Sequence, residues 1–439
     1  MTKGIPLIIL FCAICASAFA QSSDTVAYKK RVLDATEIEF LSSYYSQDGD
    51  HAAVSGGIGS EKITNTTGAV VLSIPLNDDD VLTLDVGISA YSSASSSNIN
   101  PLDDGKASPY DASSGASSSD LWAGISATYS HSSDDRNSIW SLKASASTEF
   151  DYTSFGFGGG YTRLFNEKNT ELSINASVFL DTWKLLYPYE LGGPGGDDDS
   201  NVKPFDPKDY TITGNPDYNP GFRTLDDDKR NSYAAGIGLS QIFTDRLQGI
   251  LLVDVIHQSG LLSTPFQRVY FQDKENSYID DFALADDIER LPSSRLKVAT
   301  GGRMNYYISE IFVLRTFYRF YSDDWGINSH TANIEMPVRL FGGQFSVTPS
   351  YRFYTQTESD HFAPYDQHLS TDEFYTSDYD LSAFDAHQYG LELTYSDILT
   401  RYGFGKFKLK DISLSYNSYN RSTEFTASII SFRIKMVLD

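Results

Sequence analysis

Apolar and polar side chains alternate with a period of two along most of this chain, and that rhythm limits what it can fold into. Leu172, Ile174, Ala176, Val178 and Leu180 fall on one face of a segment; Glu171, Ser173, Asn175, Ser177 and Asp181 fall on the other. Successive side chains of a strand point to opposite sides, so this segment is a strand with one greasy and one wet face. Leu82 to Ile88, Ile334 to Leu340 and Ile430 to Leu438 repeat the pattern. Sixteen such segments are centred near residues 39, 70, 86, 125, 144, 160, 175, 237, 253, 300, 315, 335, 349, 393, 412 and 431. Several reach the ~9–11 residues that a tilted strand needs to cross a bilayer.

The connections alternate short and long. Asn77 to Asp80, Ser133 to Asn137, Asn166 to Asn169, Thr244 to Arg246, Ser309-Glu310, Gly342-Gly343 and Tyr402 to Gly405 are brief and rich in Asn, Asp and Gly, as hairpins require. The other set includes 92–120, 187–231, 264–294 and 356–387, with brief exceptions around Asp151, Asp324 and Ser418. Seven short turns and eight outer connections fit sixteen strands with both termini in the periplasm. A soluble sandwich has no reason to place long loops at every second connection. The pattern predicts an all-β fold: a closed antiparallel transmembrane barrel with short periplasmic turns and long acidic outer loops. Hydrocarbon offers no hydrogen bonds to an open sheet edge, so a lipid-facing sheet must close.

Residues 1–20 read as a cleavable secretory signal, with Lys3, an apolar run from Ile5 to Ile14, and Ala18-Phe19-Ala20 before the cut. Residues 21–439 are then expected to form a single barrel domain of the Gram-negative outer membrane. Both cysteines, Cys12 and Cys15, lie in the signal, so disulfides and thiolate metal sites are not expected after cleavage. Trp122, Trp183 and Trp325 lie beside outer connections and Trp140 follows a short turn. These positions predict an aromatic belt at the membrane interface, with ordinary core tryptophan as the alternative.

The net charge of −24 argues against a nucleic-acid partner, because phosphate contacts need Lys and Arg. The three loops 187–231, 264–294 and 356–387 hold 25 of the 58 acids, including Asp197-Asp198-Asp199 and Asp226-Asp227-Asp228. Divalent-cation binding is one reading and a solvated acidic surface the other, since no run has the spacing of a Ca²⁺ loop. His361, His368 and His387 share one of these loops, but their spacing fits no compact metal motif. No metal and no cofactor are expected.

Extending the alternation turns Arg295, Lys297, Arg303, Arg315, Arg319, Arg339 and Arg352 toward the lumen, on four neighbouring strands. Arg or Lys facing mid-bilayer lipid would cost about 2–4 kcal/mol. Glu37, Glu39, Asp85, Glu171, Asp254, Glu335 and Glu392 also turn inward, mostly on other strands. A basic wall opposite an acidic wall would set a field across a pore; a lumen packed with ion pairs is the alternative. Asp254, His257 and Ser259 invite a catalytic triad, but period two puts Asp254 on the opposite face from the other two. With no P-loop, GxSxG or HExxH, no enzyme is expected. Gly56-Gly57-Ile58-Gly59 follows a strand and opens no helix, so turn geometry explains it.

The opening strand Val32 to Tyr45, with Ser46-Gln47-Asp48-Gly49-Asp50-His51 and Ser55 to Lys62 after it, resembles the start of a bacterial outer-membrane barrel family catalogued as a domain of unknown function. The resemblance spans nearly the whole mature chain. It implies outer-membrane location, no known catalytic residues, and genes often near those of thioredoxin-like and flavin-transferase proteins. The expected function is a porin-like channel for a small solute or ion, in contact with outer-membrane lipid. The alternative is a scaffold whose acidic loops dock an envelope or surface partner. The sequence leaves oligomeric state open.

Overall fold

The computed structural model describes residues 31–93, 119–191 and 205–438. The signal segment and the Asp197-Asp198-Asp199 run lie outside them. Sixteen strands form the wall. Those of the first half are β1 (Thr36–Asp48), β2 (Ile63–Pro75), β3 (Asp80–Ser93), β4 (Ser119–Ser132), β5 (Ser138–Thr148), β6 (Tyr152–Phe165), β7 (Thr170–Trp183) and β8 (Lys229–Thr244). The second half runs β9 (Leu247–Gly260), β10 (Ser294–Tyr307), β11 (Val313–Asp323), β12 (Asn328–Glu335, resumed at Val338–Leu340), β13 (Phe345–Gln356), β14 (Phe384–Ser396), β15 (Phe407–Arg421) and β16 (Phe425–Leu438). Every segment centre read from the alternation falls within one of them.

Each strand pairs antiparallel with the next, and β16 returns to β1 from Thr36↔Leu438 to Asp48↔Thr426. The wall is therefore closed, with no lipid-exposed edge. Strand β12 is interrupted at Met336-Pro337, because proline has no N–H to give the ladder. The pair Gly403–Phe404 is a short arm folded back on the start of β15, not a further wall strand.

Burial follows the alternation. Leu251, Val253 and Val255 are exposed on one face of β9 while Leu252, Asp254 and Ile256 are half-buried on the other. A wall that is apolar outside and polar inside is the architecture of an outer-membrane barrel. Among the described residues no helix is long and apolar enough to cross a membrane. Glycines make room on the inner face: a Cβ on Gly236 would lie 2.6 Å from Asp254 Oδ1. One prediction follows from the two faces. Val253→Arg, on the apolar face at mid-strand, should destabilise the barrel by about 2–4 kcal/mol in lipid, and Asp254→Asn should cost far less. Guanidinium unfolding in vesicles reads the difference; equal costs would contradict the assigned faces.

The tryptophan belt is corrected by the same geometry. Only Trp140 sits on the outer face near a short turn, beside Tyr129. Trp122 leans over Gly87 and Gly124, glycines of the inner face. Trp183 lies tilted against Tyr152, centroids 4.9 Å apart, with the Arg230 guanidinium 5.2 Å from its ring. Trp325 is 3% exposed and donates to Ser294 O at 3.1 Å. Nearness to an outer loop did not imply nearness to lipid, because strand parity and loop packing turn three of the four rings inward.

The long outer loops do not simply cover the mouth with solvated acid. Residues 184–191, 205–228, 261–293 and 357–383 fold into one layer. Arg268–Val269 pairs with Asp287–Ile288 within 261–293, Ile212–Gly214 pairs with Ser277–Ile279 across 205–228 and 261–293, and the bridges Phe271↔His368 and Arg290↔Tyr375 reach 357–383. Tyr187, Leu191, Tyr270, Ala285 and Ile288 form a small core there. Several acids are structural. Glu190 and Arg268, each 2% exposed, pair at 2.6 Å, and Arg290 pairs with Asp287 at 2.9 Å.

Candidate functional site

The inner face and the underside of the loop layer enclose four cavities. The outermost, about 650 Å³, lies between wall residues Tyr45, Gln388, Tyr419 and Arg421 and loop residues His51, Asp378 and Tyr379. A second, about 390 Å³, shares Arg421, Tyr419, Gln388 and Asp380 with the first and adds Arg352. A third, about 430 Å³, shares Arg352 and Gln388 with the second and is lined by Arg303, Arg315, Asn333, Glu335 and Glu392. A fourth, about 330 Å³, shares Glu392 and Ser415 with the third and adds Arg433. The cavities thus run as a series from the loops into the barrel, along the wall from β10 to β16 and β1.

Strand register explains which residues meet. Arg303, Phe317, Asn333, Arg352, Gln388 and Tyr419 share one rung across β10 to β15. Asn305, Arg315, Glu335, Ser350, Gly390 and Asn417 form the next rung toward the short turns. Arg319 lies one rung outward, between Gly301 and Thr331, on the same rung as Arg421. Four of the expected lumen residues, Arg303, Arg315, Arg352 and Glu335, therefore surround one cavity. Arg315 stands 3.8 Å from Glu335, which also accepts from Asn333 at 2.9 Å.

Other expected residues lie elsewhere. Arg295 is held at 2.5 Å by Asp323 near the outer rim, with its guanidinium 4.2 Å from the Trp325 ring. Lys297 lies opposite Asp323 in register. Arg339 pairs with Ser346 near a short turn, away from the other arginines. Glu37 is clamped between Lys410 and Lys435, the latter at 2.8 Å. Arg433 lies 3.9 Å from Glu39 and 3.2 Å from Asp411. The acids of β1 are therefore paired with bases of β15 and β16. Sequence reasoning also missed Arg421, which pairs with Asp380 at 2.7 Å and stacks near Phe384 and Phe425. Its position on the wet face of β15 was the available signal.

The triad residues do not meet: His257 is exposed beside Tyr233 and 3.2 Å from Ser294 Oγ, while Asp254 lies on the other face near Gly236. The three histidines also separate. His361 packs near Trp325, His368 is buried against Thr376 O at 2.9 Å, and His387 bonds Tyr351 on the outer face. Among the described residues no group of three His, Cys, Asp or Glu gathers in a way that would hold a metal.

The first outer connection tucks beneath the loop layer. His51 stacks on Tyr379 with centroids 3.7 Å apart. Gly56 and Gly57 take φ of +77° and +86°, and a Cβ on Gly57 would lie 2.6 Å from Ser377 O. The glycine run serves the turn, as expected, and also a close approach between loops that sequence alone did not show. Two carboxyls lie at this seam. Glu289 is 2% exposed; it accepts from Thr264 N at 2.7 Å and from Thr376 Oγ1. Burial pushes it up to about 8. Asp378 accepts from Gln267 Nε2 at 3.3 Å and Asp380 N at 2.9 Å; burial, with Asp380 adding, pushes it up to about 7.

A model of the family described as "Protein of unknown function (DUF3570)" matches residues 12–422. No curated protein matches the sequence. Among solved structures, a bacterial polysaccharide outer membrane secretin is similar at 10% identity and a TM-score of 0.45, covering 92% of this chain and 99% of that one. A BenF-like porin from Pseudomonas fluorescens Pf-5 is similar at 8% identity and 0.39, with 92% and 99% covered. OccK1 (OpdK) of Pseudomonas aeruginosa is similar at 10% and 0.36, again with 92% and 99% covered.

Proposed function

We propose, from the premise that this chain belongs to the DUF3570 family of proteins of unknown function, that it is a porin-like channel of the bacterial outer membrane, narrowed by its own outer loops. The observation that carries this reading is the series of four cavities with shared walls, running inward from beneath the loop layer, with Arg303, Arg315, Asn333, Glu335, Arg352 and Glu392 lining the third. In this reading the charged inner face, with Arg303, Arg315, Arg319, Arg352, Glu335 and Glu392, lines the solute path. A sixteen-stranded barrel is wide enough for water unless side chains or loops fill it. Here the loops fill the outer part and cavities remain below them, the third lined by charged and amide side chains, which favours small polar solutes over bulk diffusion.

Planar-bilayer recording tests the proposal. Small, voltage-tolerant conductance steps are expected, well below those of an unobstructed barrel of this strand number. A membrane that stays silent at every voltage after verified insertion would overturn it. The second reading is a docking surface on the outer loops. It is favoured by the packed loop core of Tyr187, Tyr270 and Ile288, which makes that surface firm enough to present a fixed shape. Silence together with co-purification of an intact envelope partner would support it instead.

A further inference from the structure

The basic residues of β10 to β13 are unequally satisfied. Arg295 has Asp323, and Arg421 has Asp380. Arg315 has Glu335 only at 3.8 Å. Arg303, Arg319 and Arg352 have no carboxylate within ion-pairing distance among the described residues; the Arg303 guanidinium lies 5.9 Å from the Phe317 ring. These three occupy two successive inner rungs, and Arg315 takes the third. Successive inner rungs are two residues, or about 7 Å, apart along a strand. Arg303 and Arg352 share a rung three strand spacings apart, about 14 Å at the backbone, and line the same cavity.

We infer that this cavity binds a small organic carboxylate, held between Arg303 and Arg352 with Arg315 and Arg319 on the rungs below and above. The inference rests on the channel reading for its place in transport, though not for binding itself. Guanidinium favours this ligand class because its planar fork matches a carboxylate's two oxygens. Asn333, Ser350 and Gln388 add uncharged hydrogen-bonding groups to the lining, and the Phe317 ring offers an apolar face for a short carbon skeleton. Glu335 and Glu392 lie toward the turn side of the cavity. They leave it with an excess of positive charge and give a bound carboxylate a repulsive floor. The acidic outer loops do not oppose entry strongly, because exposed charges are screened beyond about 8 Å at physiological salt.

Calorimetry with succinate on the detergent-purified full barrel tests the site, and bilayer recording with succinate tests its place in a path. Wild-type protein should bind succinate and show succinate-dependent block of chloride current. The double substitution R303Q/R352Q should weaken binding about a hundredfold, by about tenfold for each of the two charged hydrogen-bonding partners lost. R303K/R352K keeps the charge without the fork and should recover only part of the affinity. D254N, away from this cavity, should bind as wild type. The heat-dependent gel shift of the folded barrel checks that each variant is closed. No heat from succinate, heat unchanged in R303Q/R352Q, or inorganic phosphate competing as well as succinate would overturn the inference. Binding of succinate in a barrel that never conducts would leave the site standing and remove the channel.

Discussion

Arg268→Ala should release the outer loop layer. The Arg268 side chain joins three loops: it holds Glu190 through Nε at 2.6 Å and Nη2 at 3.2 Å, and donates to Val54 O at 3.1 Å. Its guanidinium also lies 5.4 Å from the Phe282 ring. Both partners of the ion pair are 2% exposed. Removing the arginine strands a buried carboxylate, which typically costs about 3–5 kcal/mol, far more than the net worth of the pair. That is comparable with the local stability of a packed loop region, so the layer should open while the barrel wall stays closed. Limited proteolysis should then cut within 205–230 and 261–293 in R268A and leave wild type intact. The joint change Arg268→Met with Glu190→Leu should restore resistance, because it removes both charges and keeps the volume. Protection of R268A equal to wild type would show that the pair does not hold the layer.

Raising the pH from 6 to 9 should loosen the same layer from a second seam. Glu289 and Asp378 are pushed up to about 8 and about 7, both chiefly by burial. A raised carboxyl pKa means the packed layer prefers the neutral acid. Its contribution is therefore full below about pH 4, the range of a free carboxylate, and falls as pH rises through 7 and 8. For Glu289 the linkage amounts to something on the order of 5 kcal/mol between those limits. A spin label on Glu373→Cys, an exposed position of the loop that carries Asp378 and Thr376, should gain mobility across that window. In Glu289→Gln the larger part of the transition should vanish, because the amide keeps a neutral group against Thr376 and cannot ionise. An unchanged transition in that variant would remove Glu289 from the account.

The wall was legible from the sequence because each strand meets two uniform media. Val253 faces lipid and Asp254 faces the interior whatever their neighbours are, so period two alone assigns them. The grouping of Arg303, Arg315, Arg352 and Glu335 was partly legible, since parity turned them inward; the shared rungs needed the register. The clamp on Glu37 was hidden for a related reason. Lys410 stands 373 positions away, and it meets Glu37 only because the sheet closes through β16. The loop layer was not legible. Glu190, Arg268 and Val54 come from three loops without periodicity, so no local pattern distinguishes a buried acid from a solvated one. Trp325 misled for that reason: it sits next to an outer turn in the chain but lies under Arg295.

The pairing of β1 with β16, thirteen residue pairs from Thr36↔Leu438 to Asp48↔Thr426, constrains how the molecule is made. The earliest strand of the wall waits for the latest one. Until Phe425–Leu438 has been delivered, a partly assembled sheet carries two open margins that hydrocarbon cannot satisfy. Insertion must therefore await delivery of that strand or be sheltered by an assembly machine. Shortening the chain by its final strand would leave a ribbon with no place in the bilayer, not a smaller pore.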